Sequence, residues 1–223
     1  MKTRIGALTV LVIALACGPA TAAPVKVNLR VEGATSTIFE GPVTTDGHAI
    51  EQDKAGPQKC DGTNGGANPA AGPTMTSALD DALAWDGSWS TSFSDFLINR
   101  IGTDAQTSTR FWGYALNYKD VQVGGCQQRV KAGDEVLFAF DAFGKRYLKL
   151  TGPTRLTVGQ NFNLRVVDGK TGKAVAGAKV AGLRTNSKGI AKGNAKRAGR
   201  VVLKATASKS LRSNALVLRI SRK

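Results

Sequence analysis

Charge divides this chain more sharply than any other property, and the division limits it to two separately folded units. Residues 23–146 carry 11 Lys or Arg against 15 Asp or Glu, whereas residues 147–223 carry 18 Lys or Arg against one acid, Asp168. Such asymmetry between halves marks two units with different surfaces. Aromatic content changes at the same place: Trp85, Trp89 and Trp112 all precede it, and the second part has only Tyr147 and Phe162. The boundary is predicted between Gly144 and Leu150. With 42% hydrophobic and 21% charged residues the chain has a globular balance, which excludes wholesale disorder.

The first 22 residues read as an export leader outside either unit. Lys2 and Arg4 form a positive start, Ile5 to Ala16 is apolar, and Ala20-Thr21-Ala22 supplies small residues for cleavage. The apolar run is shorter than the ~20 residues a bilayer-spanning helix needs. The rival reading is a lipid anchor on Cys17, whose preceding Leu15 stands one place too close to the cysteine. Either way the protein is expected outside the cytoplasm, secreted or held at the cell wall, with no transmembrane segment. Cleavage leaves Cys60 and Cys126, which permit one intramolecular pairing in an oxidising compartment. The bridge would close a long loop and contribute on the order of 4 kcal/mol. A reactive thiol or metal pair lacks support, because no His or further Cys stands nearby.

The first unit opens with a clean alternation. Val25, Val27, Leu29 and Val31 face one way, and Lys26, Asn28, Arg30 and Glu32 the other, a half-buried strand. Ile38–Glu40 with Val43 predict a second strand, bent at Gly41-Pro42. The stretch from Gly56 to Pro73 reads as a long surface loop pinned by Cys60. Thr74 or Thr76 would cap a short helix carrying Met75, Leu79 and Leu83 on one face. Asp86-Gly87-Ser88, between Trp85 and Trp89, reads as a turn after it. Strands follow around Phe93–Ile101, Phe111–Leu116 and Glu135–Asp141. The predicted class is α+β, mostly β with one short helix.

Four landmarks in this unit resemble a known family: Val27–Gly33, Phe39-Glu40-Gly41, Trp112-x-Tyr114-x-x-Asn117 and Gly133-Asp134-x-Val136. Together they make residues 25–143 similar to the transcobalamin-like C-terminal domain family, bacterial extracellular domains akin to the small β-rich domain of vertebrate cobalamin carriers. This sequence departs from the pattern at Tyr118, where the family has Gly. The resemblance implies a fold and an extracellular setting. A corrinoid enters only as the named guess for a small ligand, since nothing here corresponds to the helical barrel that holds most of the cobalamin in the carriers.

The second unit, residues 147–223, is predicted to be an all-β immunoglobulin-like sandwich. Strand candidates are Thr154–Val158, Asn161–Val167, Ala178–Ala181, Leu183–Thr185, Val201–Thr206 and Ala215–Ile220, with turns at Asp168-Gly169, Ser187–Gly189 and Ala198-Gly199. Val167–Ala178 resembles the D-x-x-T-G-x-P-V-x-G-A hairpin of bacterial Ig-like and carboxypeptidase-regulatory-like repeats, with Ala174 in place of the proline. Such modules are spacers or parts of adhesins.

Catalytic chemistry has few residues to work with. His48 is the one histidine, so a Ser-His-Asp arrangement has a single candidate base. Asp80-Asp81 are adjacent and diverge on a helix, which reads as its wet face and not as a hydrolytic pair. Gly62–Gly66 lacks the Lys-Ser/Thr of a phosphate loop, and the ligand count disfavours zinc. No catalytic, cofactor-binding or metal residue is therefore assigned. Trp85, Trp89 and Tyr118 are the candidate ligand contacts. The strongest signal is the basic cluster Lys188, Lys192, Lys196, Arg197, Arg200, Lys204, Lys209 and Arg212, with Arg222 and Lys223 beyond it. Cations this dense attract polyanions. No aromatic is interleaved to stack on bases, which argues against specific nucleic-acid recognition. The expected function is non-catalytic binding, with the basic domain on anionic envelope polymers. The alternative is a small-ligand carrier, and the third reading a secreted hydrolase.

Overall fold

A computed structural model describes residues 23–222. The expected leader with Cys17, and Lys223, lie outside the described residues. In the first unit the chain forms β1 (Val25–Glu32), β2 (Thr37–Thr45), β3 (His48–Ile50), β4 (Gln58–Cys60), α1 (Met75–Asp80), β5 (Trp85–Ser90), β6 (Asp95–Ile101), β7 (Asp104–Ala105), β8 (Trp112–Leu116), β9 (Lys119–Asp120) and β10 (Glu135–Phe140). The second unit adds β11 (Arg146–Thr151), β12 (Arg155–Thr157), β13 (Asn161–Asp168), β14 (Lys179–Val180), β15 (Leu183–Arg184), β16 (Ile190–Asn194), β17 (Gly199–Leu203), β18 (Ala205–Thr206), β19 (Ser210–Leu211) and β20 (Leu216–Ser221). The protein is mostly β with very little helix, in several sheets. No described helix is long and apolar enough to cross a membrane.

The main sheet of the first unit runs β2-β1-β10-β8-β9, with β1 and β10 paired in parallel at its centre. The alternation of β1 sends Val27, Leu29 and Val31 into a core shared with Val136, Phe138 and Phe140 of β10. Thr74, not Thr76, caps α1: the Ser77 N–H donates to Thr74 Oγ1 and the Thr74 N–H to Ser77 Oγ, a reciprocal box. Met75 and Leu79 are fully buried, while Leu83 lies past the end of the helix and packs partly on the core.

The predicted long loop contains β4, which pairs with β3 and delivers Cys60 to Cys126, forming the disulfide. The predicted turn around Asp86 is wrong: β5 runs through Trp85–Ser90 and pairs with β6. Asp-Gly signals a turn in isolation, but here a bulge between Asp86 and Gly87 absorbs it within the ladder. A side chain at Gly87 would collide with the Trp85 indole, which folds back over that position. The real turn lies further on, so Phe93 sits in it and not in a strand.

Strands of the second unit form the sheets β16-β13-β11-β19, β12-β20-β17 and β15-β14-β18. All three contribute to one apolar cluster that includes Leu148, Leu150, Leu164, Val166, Val180, Leu203 and Leu218. The turns at Asp168-Gly169 and Ser187–Gly189 occur where predicted, the latter closed by the Gly189 N–H to the Asn186 carbonyl. Strands β11, β16 and β19 lie outside the expected ones. Val201 shares the inner face of β17 with Leu203, as its alternation with Leu203 and Ala205 predicts, but it stays 41% exposed because it borders an open cleft lined by Phe162, Leu183 and Ile220. Lys204 separates β17 from β18 without breaking the alternation, since Leu203 and Ala205 on either side of it are both buried.

A third cluster (Ala115, Tyr118, Leu137, Ala139, Ala142, Tyr147 and Leu211) joins the two units. It lies on the side of the main sheet opposite the first core. The alternation of β1 predicts Arg30 and Glu32 to be solvated, yet they are 4% and 1% exposed because the second unit covers this face. Glu32 accepts from Lys204 Nζ at 2.5 Å and from Arg212 Nε at 2.6 Å. Lys204 also pairs with Glu40 at 2.7 Å, and Arg212 donates to the carbonyls of Gly33 and Ser36. Lys170 pairs with Asp120, and the Tyr147 hydroxyl donates to the same carboxylate at 2.8 Å. Those bonds hold the Asp120 carboxyl below its ordinary range.

Candidate functional site

The eight cations of the sequence cluster separate into two groups. Lys204 and Arg212 are removed from the candidate polyanion contacts, because both are engaged by Glu32 at the junction. Lys188, Lys192, Lys196, Arg197, Arg200 and Lys209 are all exposed, as is Arg222. None of them pairs with a carboxylate among the described residues. Lys188 occupies the turn before β16, Lys192 the outer face of β16, and Lys196 and Arg197 the loop before β17, which carries Arg200. Lys209 stands in the turn before β19 with φ of 50°. Pairing of β13 with β16 sets Arg165 on the same outer face as Lys192. Sequence reasoning missed Arg165 because a cluster read along the chain does not include a cross-strand neighbour.

The candidate ligand contacts fare differently. Trp85 is 6% exposed, donates from Nε1 to Asp80 Oδ1 at 2.9 Å and packs edge-on against Phe96. Trp89 is half-buried against the other side of Phe96, with centroids 5.0 Å apart. Tyr118 is 8% exposed at the junction, its hydroxyl donating to Asn214 Oδ1. Its ring lies under Arg30 and Lys149, and burial pushes its pKa up to about 12 against the opposing charge of Arg30. Trp85 and Tyr118 are thus packing residues here, with no open face for a ligand.

Tyr118 occupies a turn position that ordinarily favours glycine, and its own packing explains how the turn survives. Asn117 and Tyr118 form the two-residue link between β8 and β9, with φ of 51° and 63°. That link belongs to the primed hairpin turns, which prefer Asn-Gly. A non-glycine residue there costs roughly 1–2 kcal/mol. The Asn117 side chain secures the link by donating to Asp134 and accepting from the Glu135 N–H. The tyrosine ring offsets the strain by packing against the second unit, where a side chain on Gly169 would collide with it.

The apolar groups that do face solvent in the first unit are elsewhere. Phe93 is 74% exposed, Leu97 51% and Val123 40%, and they border an open cleft of about 390 Å³ floored by Phe96 and Tyr114. Asp95 lies at its base, 4% exposed, accepting from the backbone N–H groups of Phe96 and Cys126. Burial raises the Asp95 pKa to about 6 in spite of those bonds. Gly124 approaches so closely that any side chain would strike the Asp95 carboxylate. The expected strand Phe93–Ile101 hides this exposure, since Phe93 stands in the turn before β6 with Thr91, Ser92 and Ser94.

His48 sits in β3, with Nδ1 at 3.2 Å from Asp46 and Nε2 at 3.3 Å from Asp80. Burial works to lower its pKa, but the Asp80 and Asp46 hydrogen bonds and the nearby Asp81 charge raise it overall. Both ring nitrogens face carboxylates, which leaves neither free to take a proton from a nucleophile. Asp80 also accepts from Gln52 Nε2, so it ties β3, α1 and β5 together instead of forming a wet helix face.

Comparison with known proteins adds no relative. No protein-family model matches the chain, and no curated protein or solved structure matches it at a significant level. The basic surface and the aromatic cleft therefore carry the functional reading by themselves.

Proposed function

We propose that this is a secreted or cell-surface, non-catalytic binding protein whose basic domain associates with anionic envelope polymers. The observation that carries the reading is the set of exposed, unpaired cations left after the junction has taken Lys204 and Arg212. Coulomb attraction between such a surface and a polyanion is large and long-ranged at low salt. The disulfide is compatible with life outside the cytoplasm. On this reading the second unit is an Ig-like spacer and the first a transcobalamin-like domain. The four landmarks support the latter assignment: Val27–Gly33, Phe39–Gly41, Trp112–Asn117 and Gly133–Val136 fall on β1, β2, β8 and β10 of one sheet or on the turns adjoining them. The test is sedimentation of residues 23–223 with isolated cell envelopes. Retention at ~50 mM salt and release by ~200 mM supports the reading, and retention unchanged by salt overturns it.

A second reading, a small-ligand carrier, is favoured by the cleft around Phe93, Leu97 and Val123. Three apolar groups around one concavity suit a compact hydrophobic ligand. Trp89 packs on Phe96 at the floor, so ligand entry should change tryptophan fluorescence. Titration of compact apolar ligands, with a corrinoid as the bulkier comparison, against wild type and Phe93→Ala tests it, and equal responses of the two would refute it.

A further inference from the structure

We propose that the outer face of the β12-β20-β17 sheet is a phosphate-reading site, a ladder of Arg155, Arg219 and Arg200 that takes a linear phosphodiester polymer laid across the strands. The inference rests on the polyanion reading above and names the site and the polymer class. The register makes the ladder. β12 and β20 pair in parallel with Arg155 opposite Arg219, and β20 and β17 pair antiparallel with Arg219 opposite Arg200. Leu156 and Leu218, next to Arg155 and Arg219 in the chain, are buried, and Val201, next to Arg200, lies opposite Leu218 on the inner face, so the alternation turns the three arginines outward, and all three are exposed. Adjacent strands are ~4.8 Å apart, so the row of guanidinium groups is carried on a base about 10 Å long.

Placing like charges directly opposite one another destabilises a sheet. No described carboxylate pairs with any of the three, so the conflict stands unrelieved. The remaining residues of this face, Thr157, Ser221, Val202 and Val217, are neutral. A local conflict left unresolved by packing is the mark of a functional surface. The planar arginine fork donates two parallel hydrogen bonds to phosphate and carboxylate oxygens alike, and of the two a phosphodiester carries its charge in the polymer backbone itself, where a straight row of guanidinium groups can follow it. The polymer is assigned as a polyol phosphate for two reasons. The face exposes no aromatic on which a base could stack. Val202 and Val217, opposite each other in register, give an apolar floor beside the row for the carbons between phosphates.

The test titrates residues 23–223 with polyglycerol phosphate of defined length at low salt. Three variants are compared: Arg155→Ser/Arg200→Ser/Arg219→Ser, the same three positions changed to Lys, and Lys188→Ser/Lys192→Ser/Lys209→Ser. The serine ladder variant should bind about 100-fold more weakly or worse, and the lysine ladder and Lys188/Lys192/Lys209 variants each about tenfold more weakly, the latter through the loss of diffuse charge alone. Equal losses in the ladder and the non-ladder serine variants would overturn the ladder while leaving diffuse polyanion retention standing. No binding by wild type would overturn both. Tighter binding of single-stranded DNA of matched charge, or of phosphatidylglycerol vesicles, would overturn the polymer assignment.

Discussion

Glu32→Gln tests how the two units are held together. The substitution keeps the shape of the side chain and removes the one carboxylate that Lys204 and Arg212 share in a nearly dry setting. Breaking a buried ion pair from one side costs about 3–5 kcal/mol, because the remaining charge is left without compensation. Two features place this case at the lower end. Lys204 keeps Glu40, and Arg212 keeps the carbonyls of Gly33 and Ser36. Arg30 keeps the Arg212 carbonyl but loses its nearest described carboxylate, at 3.7 Å. The expected loss is thus about 3 kcal/mol, or about 1–2 M in urea midpoint for a typical denaturant slope. All three tryptophans lie in the first unit, so fluorescence follows that unit alone while far-ultraviolet circular dichroism follows both. Wild type should show coincident transitions. The variant should show a dichroism transition that begins at lower urea than the fluorescence transition, as the second unit undocks and unfolds first. Coincident curves with a midpoint shift worth less than about 0.5 kcal/mol would refute the claim that this carboxylate holds the junction.

Reducing the disulfide, or replacing both Cys60 and Cys126 with Ala, should cost on the order of 4 kcal/mol and lower the first melting transition, measured with and without reductant. Asp95 has a folded-state pKa of about 6 against an ordinary value of 3.8, so the folded state binds this proton more tightly. Its contribution is complete below about pH 3.8 and disappears as pH rises through about 6. Relative to Asp95→Asn, wild type should therefore lose about 3 kcal/mol of stability between pH 3.5 and pH 7, and a flat difference would contradict the assignment. Tyr118→Phe should cost only about 1 kcal/mol, the bond to Asn214. Tyr118→Gly relieves the left-handed strain but loses a buried ring, so chemical denaturation should show a net loss of about 2–3 kcal/mol.

Local patterns were readable where a single element decides them. The period of two in Val25–Val31, the cap before Met75 and the lone cysteine pair each follow from short-range rules, and each has its counterpart in the fold. Features that depend on what covers a face were not readable. Arg30 and Glu32 occupy the polar positions of β1, and alternation cannot say that a second domain will close over them. For the same reason Lys204 and Arg212 looked like free cations in a run of cations. The turn expected at Asp86-Gly87-Ser88 failed because a bulge accommodates the same residues inside a hairpin. The ladder of Arg155, Arg219 and Arg200 joins residues up to 64 positions apart, and only strand register brings them into one row.

The most direct test of the account is the salt dependence of polymer binding. Affinity of residues 23–223 for polyglycerol phosphate, measured between ~50 and ~200 mM sodium chloride, should fall by about a thousandfold along a straight log–log line, as expected when six or more phosphates release counterions. An affinity that stays level over that range would contradict the central claim, because a surface that holds its partner by charge cannot ignore the salt around it.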